Sequence, residues 1–179
     1  YAIAEERGSA ISIIRIAAAT DRIGKAEIVR SIALEIENKI NKGFEGIAYN
    51  PADESLYVVT ERSPMTLFRF DGIADRSQSH FNVRVSKHDE VILSKTIMHD
   101  YSGLHFDTRS GHLLCLSHEA MLIAEVTLAG EIVGFMELEK GFSGLEDDVL
   151  QAEGVTMDEN RRIYVVGEPN HFYVFNPKE

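Results

Sequence analysis

The chain has 179 residues, of which 44% are hydrophobic, so it can form one domain with a sizeable core. Its 29 acidic and 18 basic side chains give a formal net charge of −11. This balance argues against nucleic acids and anionic membrane surfaces as partners, because both attract clustered Lys and Arg. The single cysteine, Cys115, excludes an internal disulfide, and its apolar neighbours predict a buried, inert thiol.

The first segment, residues 1–42, alternates apolar and polar side chains as strands do. We predict strands in "YAIAEE" (1–6), "ISIIRI" (11–16) and "AEIVRSIAL" (26–34). Residues 20–42 also place apolar side chains at helical spacing, and taken alone they favour helix and strand equally. The chain opens without Met and in mid-strand, which predicts that part of the domain precedes it.

Three similar phrases follow: "GFEGIAYNP" (43–51), "YSGLHFDTR" (101–109) and "QAEGVTMDE" (151–159). Each has a glycine, then an alternating strand, then Asn or Asp at a turn. A second strand follows each turn, at 56–61, 113–119 and 163–168, and "YAIAEE" matches these second strands. Such self-similarity is typical of repeat architectures.

Further strands complete each repeat. Third strands are predicted at 66–70, 122–128 and 172–177, fourth strands at 26–34, 91–98 and 132–138, and longer loops at 71–90 and 139–151. Four antiparallel strands per roughly 50 residues predict an all-β fold, the β-propeller. The predicted blades are residues 1–42, 43–100, 101–150 and 151–179. The last blade stops after three strands, so its fourth strand is expected from the absent N-terminal part.

Carboxylates recur at two matched places in these blades. Before the glycine lie Glu45 and Glu153, with Ser102 in the middle copy. Glu61 and Glu168 end the second strands, where the first copy has Glu5 or Glu6. In a propeller both places can face the mouth of the central channel.

Three roles stay open for the repeated glutamates: hydrogen bonds between blades, a channel metal, or catalysis. Calcium is the favoured ion because it takes six to eight oxygen ligands, whereas the histidines show no close pair suited to zinc. The predicted metal ligands are Glu45, Glu61, Glu153 and Glu168. The glycines are predicted to give steric room near the axis.

Five further residues are predicted to contact a ligand: His105, His118, Glu119, Arg62 and Asn170. His105 lies on a first strand, while the others lie at the ends of second strands or in the loops after them. A structural histidine or a surface side chain is the alternative for each. The chain has no GxGxxG, P-loop or GxSxG motif.

The three longest phrases, "NKGFEGIAYNP", "YSGLHFDTRSGHLLCLSHE" and "QAEGVTMDENRRIYVVGEPNHFYVF", resemble the SdiA-regulated (YjiK-like) domain family. The resemblance covers essentially the whole chain. It implies a six-bladed β-propeller of which this chain is the C-terminal part. It also implies a bacterial cell-envelope location, because such proteins often carry an N-terminal membrane anchor or export segment. It implies no established reaction.

Three functions compete. The favoured one is a noncatalytic cell-envelope propeller that binds a protein or small ligand over the channel mouth, with Ca²⁺ as a candidate ion. The second is a calcium-dependent hydrolase resembling sugar lactonases and paraoxonases, with Glu45 and Glu153 as ligands and His105 or His118 as base. The chain lacks the Pro-Asn-Gly and Ser-Asp-Gly motifs of those enzymes. The third is a purely structural interaction module.

Overall fold

The computed structural model describes residues 1–6, 8–35, 43–61, 65–73, 82–88 and 97–177, which form four antiparallel sheets. The first sheet has β1 (Ala2–Glu5), β2 (Ala10–Ile14) and β3 (Ile28–Ala33), and a 3₁₀ turn at Lys25–Glu27 precedes β3. The second has β4 (Phe44–Asn50), β5 (Ser55–Thr60), β6 (Leu67–Asp71) and β7 (Arg84–Lys87). The third has β8 (Gly103–Asp107), β9 (His112–Ser117), β10 (Leu122–Val126) and β11 (Ile132–Glu137). The fourth has β12 (Ala152–Met157), β13 (Ile163–Gly167) and β14 (His171–Phe175).

The sheets are the blades of a β-propeller, which confirms the predicted fold. Strands follow each other in chain order across every sheet. The first strands of successive blades, β4, β8 and β12, lie against one another and form the inner wall. Residues 28–33 are a strand, so the helical interpretation of this stretch is wrong. No helix among the described residues is long and apolar enough to cross a membrane.

The fourth strand of the second blade differs from the prediction. It is Arg84–Lys87, which pairs with β6 and lies inside the segment 71–90 that was predicted to be a loop. Most of the predicted strand 91–98 lies outside the described residues. Because this short edge strand is polar and largely exposed, it lacks the buried apolar face by which a strand is recognised.

Apolar side chains fill the spaces between neighbouring blades. On β9, Leu113 and Cys115 pack towards the second blade, and Leu114 and Leu116 pack towards the fourth. A strand buried on both faces needs a continuous apolar run, which explains "HLLCLS". Cys115 is fully buried, and burial raises the pKa of its thiol to about 12, as expected for an inert cysteine.

Each first strand ends in the same side-chain-stabilised turn. The side-chain oxygens of Asn50, Asp107 and Asp158 accept hydrogen bonds from the backbone N–H two residues later, at 3.0, 3.0 and 2.9 Å. These Asx turns close the hairpins at the end opposite the repeated glutamates. The Asn or Asp at the end of each phrase is therefore a structural part of the repeat.

The repeated glycines lie where the inner strands approach each other most closely. A Cβ on Gly46 would lie 2.9 Å from the Leu104 nitrogen and 3.0 Å from the Gly103 carbonyl carbon. A Cβ on Gly103 would lie 3.2 Å from the Gly154 Cα. The structure thus agrees with a steric role for these glycines: a side chain would push neighbouring blades apart.

The close approach at Gly46 predicts a specific loss of stability. We expect Gly46→Ala to lower the free energy of unfolding by about 1–3 kcal/mol, because the methyl group meets backbone atoms that cannot move aside. Gly134→Ala is the matched control, since a Cβ there meets nothing within 4 Å, and we expect a change within about 0.5 kcal/mol. Urea denaturation of the three proteins measures both values. Equal losses in the two variants would contradict the steric role.

Candidate functional site

The repeated glutamates lie together at one end of the inner wall. First strands begin at this end and second strands finish there, so residues before β4, β8 and β12 meet residues after β1, β5, β9 and β13. We call this end the mouth. The Asx turns lie at the other end of the same strands.

Beta-bulges set the direction of two glutamates. The register of β4 against β5 shifts between Phe44 and Gly46, and that of β12 against β13 shifts between Ala152 and Gly154. Glu45 and Glu153 are therefore the extra residues of two equivalent bulges. A bulge takes a residue out of the ladder and re-aims its side chain, and bulges are frequent beside functional sites.

Carboxylates surround Glu45. Partial burial raises its pKa, and the charges of Glu6, Glu61, Glu153 and Asp100 raise it further, to about 7. Burial also raises the pKa of Glu153, the charges of Glu168, Asp100 and Glu61 add to the rise, and His118 opposes it. We name the six acidic residues the carboxylate mouth: Glu6, Glu45, Glu61, Asp100, Glu153 and Glu168.

The first blade contributes Glu6 to this group. The sequence left Glu5 and Glu6 as alternatives, and the structure separates them. Glu5 ends β1, and its Oε1 accepts a hydrogen bond of 2.6 Å from the Ser12 hydroxyl within the same sheet. Glu6 is the carboxylate whose charge acts on Glu45.

Asp100 is the member that sequence reasoning missed. Its side chain is 2% exposed, and Oδ1 accepts hydrogen bonds from the Ser117 hydroxyl and, at 3.1 Å, from the Glu119 N–H. It thereby ties the segment before β8 to the end of β9. The equivalent positions in the other blades are Gly43 and Gln151, so the repeat contains no signal for this carboxylate.

Three buried polar atoms at the mouth lack a hydrogen-bond partner among the described residues: Ser102 Oγ, His118 Nδ1 and His171 Nδ1. Ser102 precedes β8, His118 follows β9, and His171 begins β14, so all three lie at the mouth end of their strands. A buried donor or acceptor without a partner costs about 1–3 kcal/mol. Their concentration at one end marks a place where a bound group would supply the missing partners.

The predicted calcium ligands Glu45, Glu61, Glu153 and Glu168 all lie at the mouth. Within the described parts of the chain, no group of three or more His, Cys, Asp or Glu side chains could hold a metal ion. Calcium requires six to eight oxygens at about 2.3–2.6 Å. The described residues thus contain no ready-made metal centre, and calcium stays a prediction for these carboxylates.

Three other residues that were predicted to contact a ligand are Asn170, Glu119 and Arg62. Asn170 is exposed in the turn between β13 and β14, which is at the mouth. Glu119 is exposed beside Asp100, to which its backbone N–H donates. Arg62 lies outside the described residues.

His105 lies further along β8, away from the mouth. Its Nδ1 is 3.2 Å from the hydroxyl of Thr156 on β12, so the two side chains form a hydrogen bond between neighbouring first strands. Burial lowers the pKa of His105; the charge of Asp107 opposes this effect and that of Arg161 adds to it. His105 therefore belongs to the inner wall between two blades.

Contacts between blades are made by groups other than Glu45, Glu153 and Glu168. The Tyr101 N–H donates to the Glu61 carbonyl at 3.1 Å, and the Arg161 guanidinium pairs with Asp107. No hydrogen bond between described residues ends on the carboxylates of Glu45, Glu153 or Glu168.

The raised pKa of Glu45 predicts a pH dependence of stability. Because its pKa is about 7 in the folded protein against an ordinary 4.5, the folded state binds more protons than the unfolded state between these values. Stability from this group therefore falls as the pH rises from 4.5 to 7. We expect Glu45→Gln to raise the melting temperature at pH 8 and to flatten the pH profile in this window. Glu159→Gln, on an exposed turn at the far end, should leave the profile unchanged. If wild type and Glu45→Gln had the same dependence of melting temperature on pH, the carboxylates would not be acting on Glu45 and the prediction would be refuted.

Comparisons with solved structures show the same kind of fold at low identity. The chain matches a nidogen/laminin complex with a TM-score of 0.53 and 13% identity, over 97% of this chain and 59% of that one. It matches a gluconolactonase from Xanthomonas campestris with a TM-score of 0.48 and 16% identity, over 75% and 38%. A protein of unknown function from Bacteroides caccae matches with a TM-score of 0.45 and 12% identity, over 99% and 57%.

The chain thus spans between 38% and 59% of the lengths of these structures. At such identities the likeness is one of fold alone. The sequence comparison is more specific, because the SdiA-regulated family profile matches residues 1–176, which is nearly the whole chain. The protein belongs to the SdiA-regulated family.

Proposed function

We propose that this protein is a noncatalytic binding propeller of the bacterial cell envelope. Its ligand or protein partner places a positively charged group in the carboxylate mouth. The mouth gathers side chains from all four blades at one end of the inner wall, and such an end is where propellers present their variable side chains and loops. The cell-envelope location is the one that the family resemblance implies.

The observation that carries this proposal is the charge around Glu45. Burial is the largest cause of its raised pKa of about 7, and the charges that raise it further are all carboxylates, which come from three blades and from the segment before β8. Like charges that are held together and partly buried weaken the fold, so such an arrangement is retained where something else uses it. A cation is the partner that lowers this energy.

The proposed binding is tested with a short lysine-rich peptide. We expect fluorescence anisotropy at low salt to show binding that Glu45→Gln combined with Glu153→Gln weakens at least tenfold, about 1.4 kcal/mol. The matched control combines Glu54→Gln with Glu159→Gln, which removes the same charge from turns at the opposite end. The control should bind within about twofold of wild type. Equal losses in both double variants would mean that the overall negative charge attracts the peptide, which contradicts a site at the mouth.

The noncatalytic part has its own test. The lactonase-like alternative needs Ca²⁺ held by Glu45 and Glu153, and the described residues contain no ligand set for such an ion. We therefore expect no hydrolysis above background in a panel of lactones and esters, with or without Ca²⁺. Turnover that disappears in Glu153→Gln would overturn this part of the proposal and leave the location of the site intact.

A further inference from the structure

The middle blade breaks the acidic pattern of the mouth in a specific way. Where the second and fourth blades have Glu45 with Glu61 and Glu153 with Glu168, the third blade has Ser102 and His118. Ser102 is 4% exposed. Its Oγ and the Nδ1 of His118 are buried and have no hydrogen-bond partner among the described residues. The blade between two pairs of carboxylates thus offers a hydroxyl and an imidazole instead.

Backbone contacts fix Ser102 between the two bulged glutamates. Gly103 follows Ser102, and a Cβ on Gly46 would lie 3.0 Å from its carbonyl carbon. On the other side, a Cβ on Gly103 would lie 3.2 Å from the Gly154 Cα. Glu45 and Glu153 immediately precede Gly46 and Gly154, so Ser102 has one of them as its neighbour in each adjacent blade. The charge of His118 also acts on Glu153.

The chemistry of these atoms distinguishes between cations. A hydroxyl oxygen accepts hydrogen bonds, and carboxylates only accept. A ligand that satisfies all of them carries positive charge and several N–H donors. A divalent metal needs a tight oxygen cage, which the described side chains do not form.

Shape separates the two organic cations found in proteins. A guanidinium is a planar fork that suits two oxygens of one carboxylate. An ammonium has three rotatable donors and suits acceptors that approach from different sides. The acceptors at the mouth come from three successive blades, because the blades on either side of Ser102 each contribute a glutamate. This arrangement suits an ammonium group.

We propose that the mouth binds a primary ammonium group, held by the carboxylates of Glu45 and Glu153 and hydrogen-bonded to Ser102 Oγ. This proposal rests on the proposed function and names the chemistry of its ligand. The group is the end of a lysine side chain of a partner or of a free alkylamine.

The test compares cations that differ in hydrogen-bond donors. Butylammonium and tetramethylammonium carry the same charge, but only the first has N–H groups, and Ca²⁺ represents a metal. Binding is followed by ¹H–¹⁵N chemical-shift titration at constant ionic strength. We expect saturable butylammonium binding and at least tenfold weaker tetramethylammonium and methylguanidinium binding.

Acetyl-Gly-Lys-Gly-amide distinguishes a lysine side chain from a free amine as the source of the ammonium group. Binding at least tenfold tighter than that of butylammonium identifies a lysine side chain, and equal binding identifies a free amine.

Variants identify the acceptors. Ser102→Ala should weaken butylammonium binding about five- to tenfold and leave tetramethylammonium unchanged. Ser86→Ala, on the outer strand β7, is the matched control and should change neither. Since the substitution removes an unpaired buried hydroxyl, Ser102→Ala should keep or raise the melting temperature of the free protein, so lost binding cannot be lost folding.

The outcomes separate this inference from the proposed function. The ammonium assignment would be overturned if tetramethylammonium bound as tightly as butylammonium, or if Ca²⁺ or methylguanidinium bound more tightly. If Glu45→Gln abolished that binding, a cation site at the mouth would be retained. Unchanged butylammonium affinity in Ser102→Ala would also overturn the assignment. No saturable binding of any of these cations would contradict both proposals.

Discussion

The close contact between inner strands at the repeated glycines is the constraint on which the rest of the structure depends. A Cβ on Gly46 would lie 2.9 Å from the Leu104 nitrogen and one on Gly103 would lie 3.2 Å from the Gly154 Cα, so the backbones of neighbouring first strands approach each other closely near the axis. The residue before each glycine is then forced near its counterparts in the adjacent blades. What occupies that position, Glu45, Ser102 and Glu153, decides the chemistry of the mouth.

The close packing of the inner strands lowers the stability of the free protein at the place where the ligand is proposed to bind. The same packing that closes the inner wall holds like charges together, and burial prevents water from separating them fully. The apolar contacts between blades, such as those of Leu113 and Leu116 on the two faces of β9, stabilise the fold enough to tolerate that repulsion. Sites for ligands commonly keep such strain in the free protein, because the ligand relieves it.

Most of the fold and part of the site could be predicted from the sequence. Each of the three phrases has a glycine, then a strand of alternating apolar and polar residues, then an Asx turn. The order is the same because every blade must pack in the same way against its neighbours. The repeat therefore also located Glu45, Glu61, Glu153 and Glu168. It could not locate Asp100, whose position is Gly or Gln in the other blades. Nor could it show that Ser102 Oγ and His118 Nδ1 are buried without a hydrogen-bond partner among the described residues, since burial and distances cannot be read from a sequence pattern. The edge strand at 84–87 was missed because it is polar and has no buried apolar face that a sequence pattern could reveal.

The measurement that tests the central claim most directly is the titration of the Glu45 side-chain carboxyl by ¹³C NMR. The resonance is assigned by its absence from Glu45→Gln and followed from pH 3 to 9. We expect a midpoint near 7, which moves down when Glu153→Gln removes one neighbouring charge but stays above 4.5 because burial and the other charges remain. A midpoint near 4.5 that does not respond to Glu153→Gln would contradict the central claim, because the carboxylates would then be independent and solvated.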